Sequence, residues 1–154
     1  MPRLTAAVFA LLIGTGCALP AAAPSSADTA SLSAHLQFCA DEVNRYRASV
    51  GLSPFTRSDE LERYAAEAVR TDAGEGVPHV FFSRTNGGGV SKAETELLLW
   101  RNYPVRTVIE RGLAGMWAVG APGAHYGVIA GPYTEVGCGV FVNGNQVSVA
   151  QEYR

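Results

Sequence analysis

Three histidines, two neighbouring glutamates and three cysteines are the residues of this chain whose types and spacing offer chemistry. His79 follows Gly76-Val77-Pro78 at the end of a helical stretch. His125 sits in Gly120-Ala121-Pro122-Gly123-Ala124-His125-Tyr126, a small-residue loop that lets backbone approach closely. Neutral imidazoles suit zinc and related divalent metals. Neither histidine has a helical partner at i+4, so there is no local His-Glu-x-x-His pattern. Alone, each reads as a hydrogen-bonded structural histidine, and His35, at the start of the first helix, reads as solvated or capping. Glu94 and Glu96, in Ala93-Glu94-Thr95-Glu96-Leu97, precede an apolar run that favours half-buried, functional carboxylates; a solvated loop charge is the plainer reading. Other templates are missing: no Gly-x-Ser-x-Gly elbow, no phosphate loop and no Cys-x-x-Cys. Gly87-Gly88-Gly89 lacks the strand–glycine–helix setting of a dinucleotide site.

The cysteines depend on where the chain resides. Residues 1–27 read as a secretory signal peptide: Arg3 gives a positive start, Leu4 to Ile13 an apolar run, and Ala18 to Ala27 a small-residue tract. The run is shorter than the roughly 20 residues needed to span a bilayer. Cys17, in Gly14-Thr15-Gly16-Cys17, resembles a bacterial lipobox with Gly14 in place of the usual leucine, which makes it a candidate for lipidation. Export leaves Cys39 and Cys138 as the only cysteines of the mature chain, and outside the cytoplasm such a pair tends to oxidise. Their disulfide would close a loop of 99 residues, worth about 4–5 kcal/mol in the chain-entropy view.

Composition bounds the rest. The chain has 154 residues, 47% hydrophobic and 17% charged, enough for one domain with a real core. Its formal charge of −2, from 12 basic and 14 acidic residues, argues against a nucleic-acid surface. Residues 28–35, rich in Ser and Ala, read as a linker, and 36–154 as the folded domain. Leu36, Cys39, Ala40, Val43, Tyr46 and Val50 recur at helical spacing, with Gly51 closing the helix. A second helix starts after Ser58, with Asp59 and Glu60 in its first turn and Leu61, Tyr64, Ala65, Ala68 and Val69 inward, and ends near Gly74. A third runs from about Val105 to Trp117. Val136 to Val142, the turn signal Asn143-Gly144, and alternating Val147, Val149 and Tyr153 read as a closing hairpin. The order of elements implies an α+β fold.

The ordered segments carry a resemblance. Phe38 to Arg47 followed by Gly51-Leu52-Ser53-Pro54 resembles the opening helix of the CAP superfamily, which includes cysteine-rich secretory proteins, antigen 5 and plant pathogenesis-related 1 proteins and is also called the SCP domain. Ser58 to Ala68 is similar to its second helix, and Ala93-Glu94-Thr95 to its Gly-Glu-Asn box. Met116-Trp117-Ala118 through Gly123-Ala124-His125-Tyr126 resembles its Trp-rich helix and Gly-His-Tyr signature, and Thr134 to Val140 its closing strand. The likeness spans about residues 36–154 and is strongest to bacterial single-domain members.

The resemblance implies an α–β–α sandwich around a small central antiparallel sheet. It also implies an open cavity in which two histidines and two glutamates hold zinc or another divalent metal. By position these are His79, His125 and Glu94, with Val119 where the second glutamate is expected and Glu96 as a partial substitute. The expected protein is a secreted or cell-envelope binding module for a metal, small ligand, lipid or protein. The alternative is a metal-assisted, peptidase-like hydrolase with Glu94 as general base.

Overall fold

The computed structural model of the protein describes residues 26–154. Residues 1–25, which carry most of the expected export signal and Cys17, lie outside the described residues. Helix α1 (Ser26–Ser49) begins earlier than its apolar face suggested and takes in the expected linker of residues 28–35. The physical reason is that no Gly or Pro interrupts residues 26–49, so the Ser/Ala tract simply extends the helix. His35 accordingly lies within α1 rather than capping it. It is part-buried, and burial first, then the Arg106 cation, pushes its pKa down.

Strand β1 (Thr56–Arg57) leads into α2 (Asp59–Glu75). Ser58 occupies the N-cap position with extended backbone but makes no side-chain cap. A left-handed Gly76 ends α2. After α2 come a short helix α3 (Val80–Thr85), a 3-10 turn at Asn86–Gly89 and strand β2 (Ala93–Arg101). Helices α4 (Val105–Ala118) and α5 (Ala124–Ile129) follow, then β3 (Glu135–Asn143) and β4 (Gln146–Tyr153). The hairpin turn is Gly144-Asn145 and not Asn143-Gly144, because Asn143 still pairs with Gln146 and the left-handed residue is Gly144.

The sheet order is β1-β3-β4-β2. β3, β4 and β2 are antiparallel, and only the two-residue β1 is parallel to its neighbour. β4 is buried along nearly its whole length because it is interior to the sheet and covered on both faces. On one face Val136, Cys138, Val149, Tyr153, Ala93 and Leu97 pack with α1, α4 and α5. Cys39 of α1 is bonded to Cys138 of β3 across this interface, with Cα atoms 6.3 Å apart. On the other face α2 lies against β3 and β4, with Ala65, Val69 and Ala150 in contact.

Two glycines set that second distance. A Cβ on Gly137 would fall 2.4 Å from the backbone of Leu61 and Glu62, and one on Gly139 would fall 2.4 Å from the backbone of Ala65. Both alternate onto the α2 face of β3, so the helix backbone rests directly on the strand.

Candidate metal centre

Pleat alternation sends successive residues of β2 to opposite faces. Thr95 points into the α1–α4 core, while Glu94 and Glu96 point to the α2 side. Across the ladder Glu94 faces Glu152 of β4, and Asp72 joins from α2. Asp72 and Glu152 are fully buried, and Glu94 and Glu96 are 8% and 7% exposed. Four carboxyls thus share one side of the sheet with one imidazole, that of His79.

His79 is placed by the short connection between α2 and α3. Its backbone is left-handed, φ 64°, a conformation that a non-glycine residue adopts only when its surroundings hold it there. Its Nδ1 lies 2.6 Å from Glu94 Oε2, and its backbone N–H donates to Glu96 Oε2 at 3.0 Å. The glutamate side chain is 1% exposed and the imidazole 39%. The ring therefore spans the boundary, with Nδ1 turned inward. The bond to Glu94 raises the His79 pKa against the effect of burial.

The carboxyls are incompletely satisfied. Asp72 Oδ2, Glu94 Oε1, Glu96 Oε1 and both oxygens of Glu152 are buried with no hydrogen-bond donor. Burial pushes Glu96 up to about 8 and Asp72 upward. Glu152 is driven far above the carboxylate range by burial and by its neighbour Glu94. Two carboxyls facing each other in a dry site can be joined only by a proton or by a cation.

His79, Glu94 and Glu96 meet the geometric requirement for a cation, with one ligand atom from each lying within 4.8 Å of the others. The mixed nitrogen and oxygen donors and the orphaned Oε1 atoms of Glu94 and Glu96 fit a divalent metal. Glu96, expected only as a substitute, belongs to this group; His125, expected beside His79, does not. The reason is layering. His125 lies in α5, whose Ile129 belongs to the α1–α4 core, whereas His79 comes from the α2–α3 connection. Val119 is 58% exposed at the end of α4, neither core nor part of the cluster. A separate cavity of about 370 Å³, lined by Leu32, His35, Val105, Val140 and their neighbours, opens on the α1 side of the sheet.

Asp72 and Glu152 escaped the sequence reading. Asp72 is a charged residue three positions after Val69 on the buried stripe of α2, and Glu152 falls in register with Ala150 on a strand buried on both faces. An acid on an apolar stripe is the signal both carried.

The sequence matches the family described as the Cysteine-rich secretory protein family over residues 40–153. No curated protein matches it. Among solved structures it is similar to an extracellular protein containing a SCP domain from Bacillus anthracis. There the TM-score is 0.54 at 12% identity, over 87% of this chain and 45% of that one. It is also similar to a cysteine-rich secretory protein from Staphylococcus aureus, with TM-score 0.51, 16% identity, and 79% and 39% of the two chains covered. An outer surface protein from Borrelia burgdorferi gives 0.52 and 13%, covering 77% of this chain and 90% of that one. The chain thus spans under half the length of two of these three proteins. Among the described residues no helix is long and apolar enough to cross a membrane.

Proposed function

The chain belongs to the cysteine-rich secretory protein family, and on that premise we propose that it is an exported binding module whose His79–Glu94–Glu96 pocket takes a divalent metal ion such as zinc. The observation that carries this reading is the 2.6 Å contact of His79 Nδ1 with a buried glutamate, beside a second orphaned carboxylate. Carboxylate partners of this kind fix the tautomer and orientation of metal-binding imidazoles. A bound zinc would supply Lewis acidity at the mouth of the pocket.

Export is supported by the leader-like residues 1–27, by the disulfide, and by structural neighbours described as extracellular or outer-surface proteins. Cys17 remains the candidate for a lipid anchor. Binding is favoured over hydrolysis because Glu94, the candidate base, is 1% exposed at its side chain and already engaged with His79. A general base must reach the water it activates.

Calorimetric zinc titration of the wild type and of His79→Ala tests the reading. Binding near neutral pH that is lost in the variant supports it, and equal binding by both overturns it. Zinc-dependent cleavage of a peptide library, abolished by Glu94→Gln, would instead establish the hydrolase.

A further inference from the structure

The left-handed backbone at His79 needs a cause, and the residues around it supply one. Asp72 receives three backbone donors. Its carbonyl accepts Gly76 N–H at 2.8 Å and Val77 N–H at 3.2 Å, and its Oδ1 accepts Phe81 N–H at 2.8 Å. Those three donors bracket the loop Gly76-Val77-Pro78-His79 on both sides. Glu96 then takes the N–H of His79 itself. Tyr64 braces the far end of α3, with its hydroxyl 2.6 Å from Thr85 Oγ1 and its ring against Phe81.

We propose that Asp72 and Glu96 form a two-carboxyl clamp that holds His79 in its left-handed conformation, so that its ring keeps the orientation in which Nδ1 meets Glu94. Asp72 acts as a positioning residue, because it lies outside the His79–Glu94–Glu96 group and reaches the imidazole only through the backbone. This rests on the reading of His79 as a metal ligand. It adds why a six-residue helix and a strained residue are retained in front of the site: the strain fixes the ring before any ligand arrives. Preorganisation of this kind improves affinity by removing the cost of ordering the ligand residue on binding.

The test uses the full chain and cobalt(II) as the probe metal. It compares the wild type, Asp72→Leu, Asp72→Asn and His79→Ala. Asparagine keeps an acceptor at Oδ1 and leucine does not. Asp72→Leu is expected to weaken cobalt binding by about 10–100-fold, the usual cost of losing an orienting partner, while Asp72→Asn stays near wild type. Nitrogen NMR of the metal-free protein should find His79 as a single Nδ1–H tautomer in wild type and Asp72→Asn, and as a tautomer mixture in Asp72→Leu. Amide exchange in the unaltered protein should show slow His79 and Phe81 N–H groups, a measurement that stands even where the leucine variant does not fold.

Wild-type affinity and tautomer in a folded Asp72→Leu, or fast-exchanging His79 and Phe81 amides, overturn the clamp. His79→Ala binding cobalt like wild type overturns the metal reading instead, and leaves the tautomer and exchange results to decide the clamp on their own.

Discussion

The two faces of one sheet treat polar groups in opposite ways. On the α1 side, Arg47 is buried, yet its guanidinium donates to the carbonyls of Ser53, Ile129 and Gly131 at 2.8–3.0 Å and stacks on Phe55. Thr95, Gln151 and Tyr153 join side chain to side chain, and on this side Gln151 Nε2 and His35 Nδ1 of α1 are left without partners. On the α2 side, the residues one step along the same strands, Glu94 and Glu152, leave buried oxygens without donors. A buried polar group without a partner costs about 1–3 kcal/mol, and more when charged. The first face is therefore built for stability, while the second stores an electrostatic deficit that a cation would relieve. The pleat permits this division at no cost in topology.

The largest way to break the contrast is to open the stable face. Replacing Cys39 and Cys138 with serine should remove about 2–5 kcal/mol. Thermal unfolding would read this as a large fall in midpoint, with zinc binding retained by the protein that remains folded.

The second face should reveal itself through pH. Asp72, Glu96, Glu152 and His79 all have folded pKa values above their ordinary ones. A group whose folded pKa is raised holds its proton more tightly when folded. Its contribution to stability is full below the unfolded value and is lost as pH rises through the folded one. For Glu96 that window runs from 4.5 to about 8. The metal-free protein should thus lose on the order of 3–4 kcal/mol from Glu96 alone between pH 5 and pH 8. Glu152→Gln should flatten the slope and raise stability at pH 8, since the amide can donate to Glu94. A flat profile in the wild type would mean that the carboxyls are solvated.

How much of this was legible in the sequence follows the same division. The apolar stripe of α1 and the alternation of β3 and β4 are periodic signals, and with the count of two cysteines left after export they located the stable face. His79 and Glu94 were visible through the family likeness. Asp72 and Glu152 were not: each carried the signal of an acid on an apolar stripe, but their partners are remote in sequence, so nothing local said what the acid faces. The left-handed His79 was equally hidden, since its cause is Asp72 and Glu96 acting from two other elements. The hairpin slipped by one residue because Asn143-Gly144 and Gly144-Asn145 are both acceptable tight turns, and strand register decided between them.

A smaller effect sharpens the boundary of the site. Val119 is exposed, so Val119→Glu should fold normally, with stability changed by no more than about 0.5 kcal/mol. Zinc affinity should rise only if the α4 end lies within reach of the bound ion. An increase of about tenfold would extend the site toward α5 and His125, and no change would confine it to the α2–β2 side.

Completion of the acidic face by a divalent cation held through His79 carries a thermodynamic signature. Thermal unfolding at pH 8 with and without zinc tests it most directly. At zinc about 100-fold above the dissociation constant, ligand linkage predicts stabilisation near 2.7 kcal/mol. The wild-type midpoint should rise clearly, that of Thr95→Val on the opposite face should rise equally, and that of His79→Ala should not move. A wild-type midpoint unmoved by saturating zinc, or a rise that survives His79→Ala, would contradict it.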